Sequence, residues 1–151
     1  MAPESETPTP PVIDLRQRSS FDFFTVEQLR FADLDLNGHV NNLSFLALME
    51  SARQQFITGR TPLVMTDTQT YMLVHLEVDF VGELHYPGAV QAACRVVEVR
   101  RSSVVFGQAL FDGDRAVATL RAVTVNVDRR LRKAFPFSED ARMRLMDLQG
   151  A

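Results

Sequence analysis

The spacing of hydrophobic positions changes character along this chain. Residues 71–81 alternate, with Met72, Val74, Leu76, Val78 and Phe80 on one side and Tyr71, Leu73, His75, Glu77, Asp79 and Val81 on the other. That is the two-residue period of a strand with one face on a core. Three β-rich runs follow at 89–99, 102–111 and 115–127, and Asp112-Gly113-Asp114 between the last two is a hairpin signal, so the runs form a meander. Upstream, residues 41–58 hold strong helix formers with no Pro or Gly, and stop at Gly59 with Pro62 beyond. The apolar residues of this helix, Leu43, Phe45, Leu46, Leu48, Met49, Ala52, Phe56 and Ile57, go most of the way round it, which predicts that something wraps it. Residues 21–31 are aromatic and β-branched and predict a first strand, and Ser138 with Glu139 suits the start of a short closing helix. The order strand, helix, four antiparallel strands is an α+β layout whose sheet ends in an open edge; two such edges could pair in a dimer.

Composition narrows the function classes. At 151 residues the chain is about one domain long. Its Pro-rich start, MAPESETPTPP, predicts a disordered tail over 1–18 ahead of a single domain at 19–151, without the basic and apolar regions of a secretory signal. A net charge of -3 offers no positive field for nucleic acid, and no apolar run is long enough to cross a bilayer, so neither nucleic acid nor membrane is an expected partner. One cysteine, Cys94, cannot close an internal disulfide, which fits a reducing compartment and hence a cytoplasmic protein. The three histidines and Cys94 have none of the usual ligand spacings, so no metal is expected. His75, Glu77 and Asp79 read as the polar side of a strand, and Cys94 as a small apolar residue.

Polar chemistry concentrates in FADLDLNGHVNN, residues 31–42, just ahead of the apolar helix. The first N–H groups of a helix lack backbone partners and carry the positive end of its dipole. Asn41 or Asn42 as a cap answers one of them, but a cap does not account for Asp33, Asp35, Gly38 and His39 together. An N–H at such a helix end can bind a carbonyl oxygen as it becomes negative. A carboxylate facing the same carbon could attack it or take a proton from a water that does. Gly38 lets the loop turn tightly enough to bring both close. Glu50, an acid in the apolar helix, has Arg53 three residues on as a partner.

The run from Phe31 to Phe45, F-x-D-x-D-x-x-G-H-V-N-N-x-x-F, with Glu50-x-Ala52-Arg53 beyond, resembles the signature of hotdog-fold acyl-CoA thioesterases of the 4-hydroxybenzoyl-CoA thioesterase type. The similarity continues through VDF at 78–80, RRSS at 100–103 and VNVD at 125–128. It implies a hotdog fold, a long central helix wrapped by a curved five-stranded antiparallel sheet, and hydrolysis of an acyl-CoA thioester to a carboxylic acid and free coenzyme A. Coenzyme A is then part of the substrate, and no separate cofactor is implied. The resemblance puts the catalytic carboxylate on Asp35, a supporting role on Asp33, the oxyanion-binding N–H on Asn42 and a loop-orienting or substrate contact on His39. Arg100 and Arg101, followed by Ser102 and Ser103, match the residues that hold the nucleotide phosphates of coenzyme A in one branch; a solvated arginine pair at a turn reads the same way. A homodimer or tetramer with its site between subunits is implied as well. Phe45 replaces a tyrosine common among relatives, and Pro87-Gly88-Ala89 stands where many have glycine-aspartate. Two other readings stay open: a hydratase or dehydratase of an enoyl or hydroxyacyl thioester, using Asp35 with His39, and an acyl-CoA-binding protein without catalysis.

Overall fold

A computed structural model describes residues 12–151. The five long strands are β1 (Phe24–Gln28), β2 (Gln69–Phe80), β3 (Ala89–Val99), β4 (Ser103–Asp112) and β5 (Arg115–Asp128). They form one antiparallel sheet in the order β1-β3-β4-β5-β2. Helix α1 (Asn42–Arg60) lies across the sheet, and α2 (Glu139–Gln149) closes the chain. Among the described residues this is the α+β layout the pattern predicts and the hotdog fold the resemblance implies. A two-residue strand, β6 (Lys133–Ala134), pairs with the end of β5, because β4 starts opposite Val125 and leaves Val127 and Asp128 without a neighbour on that side. Of the tail expected over 1–18, residues 1–11 lie outside those described; Leu15 is buried against the outer face of the sheet with Phe21, Ala109 and Phe111. Gly107 leaves room for it, since a Cβ there would stand 2.7 Å from the Leu15 Cδ2.

Local signals explain most of these elements. Asn41 caps α1 through its side chain, which accepts from the Leu43 N–H, and Ser138 caps α2 by accepting from the Ala141 N–H. Gly113, at φ +60°, takes the left-handed position of the β4–β5 turn. Gly59 does not stop α1, which runs one residue further to Arg60; Thr61 ends it, with its N–H and its hydroxyl both donating to the Ile57 carbonyl.

Two expectations about faces need correction. The sheet cups α1 along one face rather than all round. Phe45, Met49, Ala52, Arg53, Phe56 and Ile57, a stripe of helical period, are buried, whereas Leu43 is 67% exposed. The alternation of β2 does not put Met72 and Val74 on the helix side, because a bulge between Leu73 and His75 shifts the register against β5. Tyr71 before the bulge, and Val78 after it, pack on the core, and Phe80 meets Phe45 edge to face with ring centres 5.6 Å apart. Met72 and Val74 instead line an outer groove with Val125 and Val127. One extra residue thus divides a uniform apolar alternation between two faces.

The core between α1 and the sheet is built around aromatic rings. Phe56 stacks edge to face on Phe23 and Phe106, at 5.2 and 6.0 Å between ring centres. It also holds a buried polar pair. Arg53 donates to the Gln108 side-chain oxygen at 2.9 Å, and the Gln108 amide donates to the Met49 carbonyl at 2.6 Å. The expected Glu50–Arg53 contact is there at 3.9 Å, but Gln108 is the closer partner. Burial pushes the Cys94 thiol well above its ordinary range, so it stays protonated and packs as an apolar group. Phe56→Ala should cost about 3–5 kcal/mol of folding free energy through the cavity it leaves among these rings, read as a lowered midpoint in urea unfolding.

Candidate active site

The loop 34–40 is a small closed structure held by its own backbone. Leu34 and Val40 pair as an isolated antiparallel bridge. Inside it the Asp35 N–H donates to the His39 carbonyl at 2.9 Å, and the Gly38 N–H donates to the Asp35 carbonyl at 3.1 Å. Gly38 sits at φ +75°, a left-handed conformation that glycine adopts without strain. The Asp35 carboxylate is aimed by the same loop: one oxygen accepts from the Asn37 N–H at 2.8 Å and from the His39 N–H at 3.3 Å. Asp35 is half-buried and lines an open cleft of about 810 Å³ with Phe31, Leu34, Leu36, Asn37, Gly38 and Asn41.

The helix end follows immediately. With Asn41 as cap, Asn42 is the first helical residue; it is exposed, and its N–H donates no hydrogen bond among the described residues. Asp33 fixes this start. Its carbonyl accepts from the Asn41 N–H at 2.7 Å, and its buried carboxylate accepts from the Arg30 guanidinium at 2.7 Å and from the Arg30 N–H at 2.8 Å. The hydrogen bond from Arg30 holds the Asp33 carboxyl below its ordinary value. Asp33 and Asp35, two residues apart in sequence, therefore have different surroundings. The first is a buried anchor and the second borders a cleft.

The fold places the other candidates elsewhere. The imidazole of His39 points to the connection between β2 and β3, with its Nε2 3.7 Å from a carboxylate oxygen of Glu83. Its contacts with Asp35 run through the backbone of both residues and the Asp35 carboxylate. Arg100, Arg101 and Ser102 form the β3–β4 turn. The Arg100 guanidinium is held bidentately by Glu98 at 2.8 and 3.0 Å, whereas the Arg101 side chain is exposed and makes no hydrogen bond among the described residues. This turn is at the far end of the sheet. β3 begins beside the site, where the Leu29 N–H donates to the Gly88 carbonyl, and its 11 residues at about 3.3 Å each carry the chain roughly 35 Å away. Glu83 and His85, which meet His39, were not singled out in the sequence; only their i, i+2 spacing hinted that the two could project together.

The profile of the thioesterase-like superfamily matches residues 29–145. The chain belongs to this superfamily. Among solved structures it is similar to the PA5185 protein of Pseudomonas aeruginosa strain PAO1, at 27% identity and a TM-score of 0.79, over 89% of this chain and 96% of that one. It is likewise similar to a thioesterase from Thermus thermophilus complexed with coenzyme A and zinc, at 27% identity and a TM-score of 0.74, over 87% of this chain and 96% of that one. A 1,4-dihydroxy-2-naphthoyl-CoA thioesterase from Synechocystis shares the fold at 18% identity and a TM-score of 0.72, over 83% of this chain and 96% of that one. No curated protein matches the sequence. The matched region takes in the 31–42 loop and the whole of α1.

Because the Asp33 carboxyl is depressed in the folded state, its ion pair stabilises the protein above the ordinary value of 3.8, and that contribution is lost as pH falls through the depressed value. Asp33→Asn should therefore destabilise the fold by about 1–2 kcal/mol at pH 7, and the gap from wild type should narrow below about pH 4, as read by urea unfolding at both pH values.

Proposed function

We propose that the protein is an acyl-CoA thioesterase whose reacting groups are the Asp35 carboxylate and the N–H of Asn42. The observation that carries this reading is the pairing of the two: an acid held by its own loop where it borders an open cleft, a few residues ahead of a helix tip with an unused N–H. The thioester carbonyl would lie between them. Its carbon is attacked by the Asp35 carboxylate, or by a water that gives its proton to Asp35, and negative charge moves onto the carbonyl oxygen toward the Asn42 N–H. When the carbonyl reforms, the carbon–sulfur bond breaks and coenzyme A leaves as the thiolate, which takes the proton held by Asp35 on the water route or one from solvent on the nucleophile route. On the nucleophile route the acyl group stays on Asp35 as an anhydride until water hydrolyses it.

The direction of His39 favours hydrolysis over hydration. A hydratase pair would set Asp35 and an imidazole against one substrate, and here the imidazole is turned to Glu83. Arg101, rather than Arg100, is the arginine available for a nucleotide phosphate, since Glu98 already occupies the Arg100 guanidinium.

A homodimer fits both the free edge and the distant arginines. Among the described residues β2 offers 12 residues with no strand on its outer side, and Met72, Val74, Leu76 and Phe80 on it are exposed. A long apolar edge of this kind calls for a partner. Ser103, Val125 and Met72 lie in one row across β4, β5 and β2, so the arginine turn is at the Gln69 end of that edge, opposite the Phe80 end beside α1. Antiparallel pairing of two β2 edges would set one protomer's Gln69 end against the Phe80 end of the other. It would thereby carry the partner's Arg101 toward Asp35. The coenzyme A bound in the similar Thermus thioesterase supports an acyl-CoA ligand.

Two substitutions test the reaction, with free thiol followed over a panel of acyl-CoA substrates. Asp35→Asn should lower kcat by about 10²- to 10⁴-fold. Asn42→Pro removes the oxyanion donor at the one helical position that accepts proline, behind a cap residue already extended at ψ 140°, so the fold should stand while kcat falls about 10²- to 10³-fold. An Asp35→Asn chain as active as wild type on every substrate would reject the assignment. Arg101→Ala should raise KM several-fold with kcat nearly unchanged, and raised salt should shrink that difference.

A further inference from the structure

Beside the loop that carries Asp35, the structure gathers two of the chain's three histidines and one acid, which the reaction above does not use. Glu83, Leu84 and His85 run through the connection between β2 and β3. Leu84 is buried in the core, and its neighbours on either side project outward. The Val40 N–H donates to the Leu84 carbonyl at 3.0 Å, which sets His39 alongside, and Arg115 donates to the Glu83 carbonyl at 3.2 Å. These bonds to backbone carbonyls hold both segments in place while the three side chains meet. His39 Nε2 and His85 Nε2 each lie 3.7 Å from the same Glu83 carboxylate oxygen, and the rings stand at 90° with centres 5.0 Å apart.

One atom from each side chain falls within 4.8 Å of the others. A tetrahedral zinc ion with bonds of about 2.0–2.1 Å holds its ligand atoms about 3.3 Å apart, so small rotations of exposed side chains would close the set. The chemistry matches as well. Two neutral imidazole nitrogens and one carboxylate oxygen make a triad suited to divalent first-row transition metals, leaving a position open to solvent. The two imidazole nitrogens face one carboxylate oxygen at distances too long for hydrogen bonds.

The geometry points to His39, Glu83 and His85 as a binding site for a divalent transition metal ion, which would tie the Asp35 loop to the β2–β3 connection. The ion would act on the loop through His39, whose N–H and carbonyl both bond to Asp35. It would fix the position of the carboxylate without touching the reacting carbon. His85 and Glu83 are positioning residues in this arrangement.

The test is zinc binding by the untagged full chain, purified with chelator and titrated by calorimetry, with bound metal counted by mass spectrometry. Wild type should take up about one Zn²⁺ per chain and gain thermal stability from it. His85→Gln and Glu83→Gln should each weaken binding at least tenfold and abolish the rise in Tm. His75→Gln, which changes the one histidine outside the group, should leave both intact. A wild-type chain that takes up no zinc, or a His85→Gln chain that binds it as tightly as wild type, would overturn the site. Because the readout is metal uptake, the outcome is independent of whether the protein hydrolyses thioesters.

Discussion

The hydrogen bond from the Asn41 N–H to the Asp33 carbonyl, at 2.7 Å, is the contact on which the rest of the site depends. It fastens the tip of α1 to the residue that leads into the Asp35 loop. That residue is itself locked, because its carboxylate is buried against Arg30. Removing either partner of a buried, hydrogen-bonded carboxylate leaves the other uncompensated, so Asp33 is a fixed post. From it the chain runs into the 34–40 loop, closed by its own bridge, and comes back at Asn41 to start the helix. Proximity between an acid and an open helix end is a consequence of that closure.

Several features of the chain around this point fit the homodimer proposed above. The sheet covers one stripe of α1, and among the described residues β2 ends the sheet with its outer edge unpaired and apolar. The cleft beside Asp35 is open on one side. The turn that carries Arg100 and Arg101 is a strand's length away in the same chain. A second copy across the β2 edge, as proposed above, would cover Leu76 there. Inside the protomer the polar exceptions are resolved without a partner: Arg53 and Gln108 satisfy each other and the Met49 carbonyl, and no buried side-chain nitrogen or oxygen among the described residues is left without a bond.

The different surroundings of two nearby aspartates show how sequence and structure contribute differently. Their spacing, with glycine and asparagines following, marked 31–42 as a candidate site, and the resemblance assigned Asp35 and Asp33 to different roles. The structure supplies the physical difference: Arg30 lies within reach of Asp33 and not of the cleft that Asp35 borders. For the arginines it separates Arg100, whose guanidinium Glu98 holds two residues away at a tight turn, from Arg101, which no such acid reaches among the described residues.

Local patterns determined what depends on neighbours in sequence. They marked out the helix and its cap, the four later strands, the Gly113 turn and the closing helix at Ser138, because periodicity, capping and turn chemistry act over a few residues. They could not decide which face of β2 is inside, since one bulged residue inverts the alternation and leaves the sequence looking uniform. Nor could they bring His39 to Glu83 and His85. That meeting rests on a backbone bond between Val40 and Leu84, far apart along the chain, and forms only when the loop and the β2–β3 connection pack against the same core.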